Sequence, residues 1–307
     1  MWDKKKLLTI DELSRKDIEL ILETSGILEP HASKGKLQLC RGEILANVFF
    51  EPSTRTEKSF QAAMHRLGGD VIMHKDPGSS REKGESKLDT LRVLEQYSDI
   101  MAVRDPETYS LQQYAETLAL PIINAGDGSN EHPTQALLDL YTVLKEKGSM
   151  ENLSIVFTGD LKFGRTVHSL IKALRKFPGN RFFGISPETL ELPVDLKGGD
   201  YEEILFEDMY GIRPDIVYAT RIQKERMVSW AGEKFSYEIN NDVLRKLPST
   251  ARIMHPLPRV NELNPEIDSD PRVIPFKQVK YGMVVRMALL ALMLGHEKEL
   301  PSQGLSN

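Results

Sequence analysis

A chain of 307 residues, 40% of them hydrophobic, is long enough to build one large or two ordinary globular domains. Its net charge of −5 and pI of about 5.9 exclude global attraction to nucleic acid or to an anionic membrane surface, so an anionic ligand has to be captured by a local basic cluster. The longest apolar run, Met283–Leu294, contains Arg286 and is too short to span a bilayer; Met1–Lys6 is followed by Asp11 and Glu12 rather than by the apolar core of a leader; and the single cysteine, Cys40, excludes an intramolecular disulfide, which together predict a soluble, cytoplasmic protein.

Ile44–Phe50 predicts a buried strand. Arg55–Leu67 places Phe60, Ala63, Met64 and Leu67 on one helical face, and Gly68-Gly69 stops the helix. Short strands are predicted at Val71–Met73 and Ile100–Val103, with an amphipathic helix over Glu85–Tyr97 between them, and Pro121–Asn124 is a further strand. Pro133 then occupies a first helical position, and Leu137, Leu140, Tyr141 and Leu144 line one face up to Gly148. The series starts again with a strand at Leu153–Thr158, a helix at Arg165–Phe177 and strands at Arg181–Ile185, Asp215–Tyr218 and Arg252–Met254. Alternation of this kind predicts an α/β protein of two tandem domains, each a mainly parallel sheet flanked by helices, joined by the long helix near 133–147. The last helix, Met283–Leu294, is apolar nearly all round, so it is expected to be buried, packing back on the first domain.

Sheets of this class bind ligands at the carboxyl ends of their strands, so the polar residues after each strand carry the functional reading. Glu51-Pro52-Ser53-Thr54-Arg55-Thr56 follows the first strand and opens a helix. Free N–H groups at a helix start, three hydroxyls and a guanidinium suit a phosphate-like dianion. Thr54 and Glu57 also have the spacing of a capping box, and the pattern alone leaves both readings open. Asp76–Ser86, with Ser79, Arg81, Lys83 and Gly84, reads by itself as a solvated loop, although loops of this length are often functional. Arg104 directly follows a buried strand, at the ligand edge; a salt bridge to Asp105 is the alternative. His132 precedes Pro133 at the mouth of a helix, beside the Gly-rich Asn124–Glu131, where an imidazole can polarise a substrate, and Gln135 lies about one turn further on.

Gly159-Asp160-Leu161-Lys162-Phe163-Gly164-Arg165-Thr166 comes close to the nucleotide P-loop pattern but has arginine where lysine belongs, so Arg165 is read instead as a carboxylate binder. Thr220–Arg226, with Arg221 and Gln223, again follows a strand. In His255-Pro256-Leu257-Pro258-Arg259 two prolines restrict the Leu257 backbone, which makes its carbonyl a fixed acceptor. The seven histidines lack metal-ligand spacing and Cys40 stands alone, so no metal is expected.

Taken in series, Ser53–Thr56, His132–Gln135, Gly159–Thr166, Thr220–Arg226 and His255–Arg259 resemble the aspartate/ornithine carbamoyltransferase family, from about Leu8 to Leu294. They resemble its aspartate branch in particular. Ornithine-type members typically carry His-Cys-Leu-Pro where His255-Pro256-Leu257-Pro258 stands here, and Arg165 with Arg221 suits a dicarboxylate and repels ornithine's side-chain ammonium. The resemblance implies a carbamoyl-phosphate-binding domain over 1–132, with the C-terminal helix 283–307 returning to it, and an aspartate-binding domain over 133–282. Ser53, Thr54, Arg55 and Thr56 would hold the phosphate of carbamoyl phosphate. Arg104, Thr56 and His132 would hold its carbonyl oxygen, Gln135 and the Leu257 carbonyl would orient its amide nitrogen, and Pro258 would also bind carbamoyl phosphate. Arg165, Arg221, Gln223 and Lys83 would bind L-aspartate. Ser79 and Lys83 would enter from a neighbouring subunit of a homotrimer with shared active sites. The loop Pro77-Gly78-Ser79-Ser80-Arg81-Glu82 departs from the family pattern, so Ser80 stays an alternative to Ser79. No cofactor is implied, and attachment of separate regulatory chains stays open.

The implied reaction transfers a carbamoyl group to the amine of aspartate, the first committed step of de novo pyrimidine synthesis. Arg55, Thr56, Lys83, Arg104 and His132 form the catalytic set: the carbonyl charge falls to Arg104, Thr56 and His132, and the leaving phosphate to Arg55, Lys83 and the helix start. No nucleophile–base pair is implied, so no covalent intermediate is expected. Holding two anions in reacting geometry requires domain closure, which predicts a mobile loop over Arg221–Arg226. The rival readings are an ornithine carbamoyltransferase, a P-loop phosphotransferase and a non-catalytic sensor on the same fold.

Overall fold

The computed structural model describes residues 2–33, 35–76, 80–222 and 237–301, and the chain divides into two units, Met1–Tyr141 with Lys280–Asn307, and Thr142–Val279. The first unit holds β1 (Lys6–Leu7), β2 (Ile44–Phe49), β3 (Asp70–Lys75), β4 (Ile100–Asp105) and β5 (Ile122–Asp127) in the order β1-β5-β4-β2-β3, all paired in parallel. All six residues of β5 are buried and five of six in β2, as expected of central strands covered on both faces. The helices are α1 (Arg15–Leu28), α2 (Thr54–Leu67), α3 (Lys87–Glu95) and α4 (Ser110–Thr117). Leu91 and Leu94 of α3 and Leu111 and Tyr114 of α4 pack on Val48, Met101 and Val103 of the sheet. Neither β1, α1 nor α4 was expected from the sequence. A local signal marks α1: Ser14 accepts from the Asp17 N–H at 3.2 Å and its own N–H donates to the Asp17 carboxylate at 2.8 Å, a full capping box.

Helix α5 (Pro133–Lys147) begins at the expected proline. The boundary between units falls inside it, between Tyr141 and Thr142. Its first turns are tied to the first unit, since the Tyr141 hydroxyl donates to Glu29 at 2.8 Å and its ring packs edge-on against Tyr281.

The second unit holds β6 (Ser154–Thr158), β7 (Arg181–Ile185), β8 (Tyr201–Glu203), β9 (Ile216–Ala219) and β10 (Arg252–Met254), in the order β10-β9-β6-β7-β8 and again all parallel. Its helices are α6 (Arg165–Leu174), α7 (Met209–Ile212) and α8 (Asn241–Lys246). Val156, Phe183, Val217 and Ile253 form the sheet side of its core, and Met209, Val243 and Leu244 cover them.

The last helix, α9 (Pro275–Met293), starts earlier than the apolar run, because Lys277, Gln278 and Lys280 mask the periodicity of its first turns. From Lys280 onward it groups with the first unit, and Val284, Val285 and Met287–Ala291 are fully buried. Among the described residues no helix is long and apolar enough to cross a membrane.

Each sheet contains one reversal of strand order. The first grows from β2 to β3 on one side and to β4 and β5 on the other; the second grows from β6 to β7 and β8 on one side and to β9 and β10 on the other. The region beyond the carboxyl ends of the strands at such a reversal is where these sheets bind ligands. These regions are framed by the loops after β2 and β4, and by those after β6 and β9.

Candidate active site

In the first unit the loops after β2 and β4 meet. The Phe50 N–H donates to the Arg104 carbonyl at 2.9 Å, and Arg104 Nε donates to Glu51 Oε1 at 2.7 Å. The alternative partner, Asp105, faces away because successive strand residues point to opposite sides. Fully buried, it accepts from Lys87 Nζ and from the Tyr114 hydroxyl, each at 2.8 Å. Glu51 thus belongs to the site, although nothing in its spacing marked it.

The capping-box reading of Thr54 and Glu57 does not hold. Helix α2 starts at Thr54, Ser53 is its extended N-cap, and the Ser53 side chain makes no cap hydrogen bond. The Glu57 carboxylate turns instead to Lys58 at 2.8 Å and Lys75 at 3.1 Å. Burial disfavours its charge, but the two ammonium groups more than offset this and hold its carboxyl below the usual range. Thr54 and Arg55 are exposed and Ser53 half-buried, so this helix start presents hydroxyls and a guanidinium outward.

Thr56 and His132 are both buried, with Thr56 Oγ1 3.3 Å from His132 Nε2. Two devices hold the imidazole. Pro133 opens α5 directly after it, and the loop before it is knotted around the Asp127 carboxylate, which accepts from Asn124 Nδ2, Asn130 Nδ2 and the Glu131 N–H. The turn is tight: Gly128 has φ +51°, and a Cβ there would lie 2.2 Å from Thr108 Oγ1. On the other side, Thr134 Oγ1 is 3.5 Å from His132 Nδ1 and accepts from Arg286 Nη2 at 3.1 Å. Arg286 comes from α9, where the sequence marked it only as an interruption of an apolar run. It lies over the Phe60 ring at 5.1 Å, and burial pushes its guanidinium down to about 9, Asp139 opposing and Arg104 adding to the shift. Gln135 Nε2 donates to Asp139 Oδ1 at 3.0 Å.

The loop after β3 ends in a short 3-10 turn, Ser80–Lys83. Arg81 pairs with Asp76 at 2.8 Å and lies over the Phe50 ring. Ser80 and Lys83 are exposed, and among the described residues Lys83 pairs with no carboxylate. Ser79 lies outside the described residues.

In the second unit the loops after β6 and β9 are pressed together. Thr220 donates from N and from Oγ1 to the Thr158 carbonyl at 2.8 and 2.9 Å, and Tyr237 donates to the Thr220 carbonyl at 2.6 Å. Only glycine fits at 159, where φ is +111° and a Cβ would lie 2.1 Å from the Thr220 carbonyl. Three of the N–H groups that a P-loop would aim at phosphate are already committed. Leu161 and Lys162 donate to the Leu190 carbonyl at 3.1 Å, and Phe163 donates to the Asp160 carboxylate at 2.9 Å. This loop therefore positions Arg165, the buried first residue of α6, rather than a nucleotide. Arg221 is half-buried two residues after β9, while Gln223 and the rest of the predicted mobile loop to Arg226 lie outside the described residues.

The turn after β10 is held by side chains as well as by its prolines. His255 Nδ1 accepts from the Leu257 N–H at 2.8 Å, which puts the ring proton on Nε2, donating to Glu262 Oε1 at 2.8 Å. Glu262 also accepts from the Val260 and Asn261 N–H groups at 3.1 Å. Burial raises its pKa, but these donors win and hold it below the ordinary range. Leu257 has φ +54° and a cis bond to Pro258, which is exposed. A branched residue in that region costs on the order of 1–3 kcal/mol and persists where its surroundings over-determine it. A cleft bounded by Ser154, Arg181, Phe183 and Glu202 lies at the amino ends of β6 and β7, the opposite edge of this sheet from the loops that carry Arg165 and Arg221.

The chain matches the aspartate/ornithine carbamoyltransferase carbamoyl-P binding domain over residues 5–145 and the Asp/Orn binding domain over residues 151–293. It is 46% identical over 305 residues to the aspartate carbamoyltransferase catalytic subunit of Thermococcus kodakarensis, covering 96% of this chain and 98% of that one. With that of Vibrio cholerae it shares 41% over 304 residues, 95% and 97% of the two chains. Aspartate transcarbamoylase from Trypanosoma cruzi, crystallised with carbamoyl aspartate and phosphate, superimposes with a TM-score of 0.85 at 37% identity, over 94% of this chain and 95% of that one. The catalytic subunit of M. jannaschii aspartate transcarbamoylase gives 0.85 at 43% identity, over 94% and 97%.

Proposed function

The chain belongs to the aspartate/ornithine carbamoyltransferase family, and from that premise we propose how its residues carry the reaction. It transfers the carbamoyl group of carbamoyl phosphate to the amino group of L-aspartate, giving N-carbamoyl-L-aspartate and phosphate. In our assignment the first unit takes carbamoyl phosphate. Ser53, Thr54, Arg55 and Thr56 hold the phosphate at the start of α2, whose Ser53 leaves the first turn without a side-chain cap. Arg104, Thr56 and His132 receive the carbonyl oxygen. A carbonyl attacked by an amine gathers negative charge there, and donors already fixed in place stabilise that charge without reorganising. The contact between buried Thr56 and His132, and the ion pair between Glu51 and Arg104, supply the fixing. Gln135 and the Leu257 carbonyl orient the amide nitrogen, and Pro258 also belongs to the carbamoyl phosphate set.

The second unit takes aspartate through Arg165 and Arg221, with Gln223. The observation that carries the choice of aspartate is the placing of two guanidinium-bearing residues after adjacent strands at the reversal of the second sheet. A dicarboxylate gains from both, and an ammonium-bearing substrate is repelled by both. Lys83, exposed on its turn and unpaired among the described residues, fits a role in the site of a neighbouring subunit of a homotrimer, together with Ser79 or Ser80. A buried free thiol suits the reducing cytosol, where we place the enzyme.

The test is a product assay with carbamoyl phosphate and either amine. Carbamoyl aspartate should form readily and citrulline negligibly. Efficient citrulline formation would overturn the assignment of Arg165 and Arg221.

A further inference from the structure

Cys40, alone of its kind in the sequence, has company in the fold. It lies fully buried in the turn before β2, three residues from Glu43. His296, in the short 3-10 turn His296–Glu299 that follows α9, comes to meet both. The Cys40 sulfur, a Glu43 carboxylate oxygen and a His296 ring nitrogen all lie within 4.8 Å of one another. His296 Nε2 is 2.8 Å from Glu43 Oε2, and Nδ1 is 3.2 Å from Glu299 Oε2. An imidazole with a carboxylate on each nitrogen donates from both and is cationic. Burial opposes that charge, and the hydrogen bonds and charges of Glu43 and Glu299 outweigh it, so its pKa is raised. The Cys40 thiol is pushed up by burial first and by Glu43 second. None of these four side chains is among those assigned to carbamoyl transfer above.

We propose that Cys40, Glu43 and His296 form a binding site for a thiophilic divalent metal ion, zinc by its donor set, with Glu299 as the outer carboxylate that orients the imidazole. A thiolate, an imidazole nitrogen and a carboxylate oxygen are donors that zinc takes at about 2.0–2.3 Å, which separates the ligand atoms by roughly 3.5 Å. The imidazole–carboxylate contact then opens and the longer contacts close, each by on the order of 1 Å, within the reach of side chains in ordinary rotamers. Glu299 on the far nitrogen reproduces the carboxylate–histidine–metal arrangement and leaves Nε2 for the ion. Binding displaces one proton from the Cys40 sulfur and one from His296 Nε2, both to solvent, with no change of oxidation state. Three protein ligands leave the fourth position to water. The ion would staple the turn before β2 to the end of the last helix, residues whose numbers differ by 253 between Glu43 and His296. This proposal does not depend on the assignment of the active site.

The test uses the full, untagged chain stripped of metal by chelation, then titrated with zinc chloride and, as a spectroscopic probe, cobalt chloride. One ion per chain is expected, with a thiolate-to-cobalt charge-transfer band that zinc abolishes and an unfolding temperature raised by several degrees. Cys40→Ser should lose the band, and His296→Gln, at a partly exposed position, should lose the stabilisation while retaining carbamoyl transfer. Glu299→Gln should weaken zinc binding by about 10- to 100-fold. The absence of stoichiometric binding overturns the proposal. So does binding that is unchanged in both Cys40→Ser and His296→Gln.

Discussion

Three successive residues at the start of α2 are set to different tasks by their direction alone. Thr56 turns inward to meet His132, while Thr54 and Arg55 stay exposed. Arg104 and Asp105 divide in the same way, one toward Glu51 and the other into the core beneath Lys87 and Tyr114. The residue types were legible in the sequence, and so was their place after a strand. Their partners were not, because Glu51 and Arg286 become relevant only when distant segments are brought together. Arg55 offers the cleanest single-residue test. In the proposed assignment its guanidinium neutralises the leaving phosphate in the transition state, so Arg55→Ala should lower kcat by at least ~10²-fold. Steady-state kinetics at saturating substrate will measure this, and a near-normal kcat would return the helix start to a structural role.

At the scale of elements, the turn after β10 is the clearest case of a local motif completed by a neighbour. Its prolines were visible in the sequence; the His255–Glu262 pair that fixes Leu257 was not. Glu262 has its carboxyl held below the ordinary value in the fold, so its stabilising contribution is fully present above the unfolded value of about 4.3 and is lost as pH falls through the lower folded value. Glu262→Gln keeps the shape and removes the charge. The variant should be less stable than the parent at neutral pH, and the gap should close as the pH is taken below about 4. Denaturant unfolding of both proteins across that range checks this; a gap of constant size would mean that the hydrogen bonds to His255 and the backbone hold the turn without the charge. Helix α1 shows the opposite limit. Its Ser14–Asp17 capping box is wholly local and could have been found from spacing alone.

For the whole molecule, the assignment of Lys83 to a neighbour's site makes a prediction that no single-chain reading shares. If each site is built from two chains, Lys83→Ala and Arg55→Ala are each nearly inactive alone. On that reading a homotrimer reassembled from a mixture would contain some sites in which both side chains are intact. Dissociating, mixing and reassembling the two variants should therefore restore part of the carbamoyl aspartate formation. Mixed trimers with no more activity than the unmixed controls would place Lys83 within its own chain's site, or outside the chemistry.

The sequence by itself determined the two-unit parallel α/β architecture, since buried strands and amphipathic helices alternate with a period that few other folds allow. It also determined which residue types stand at the carboxyl ends of the strands, because that placement is local. Only the tertiary structure decided the order of the strands, and with it which loops share a reversal point. It decided that Glu51 rather than Asp105 pairs with Arg104, and that His255 leans on Glu262. It also joined Cys40 to a histidine at the other end of the chain. The physical reason is the same in each case. Periodicity and turn chemistry are written within a few residues, whereas side-chain pairing depends on which surfaces the packing of the whole chain brings face to face.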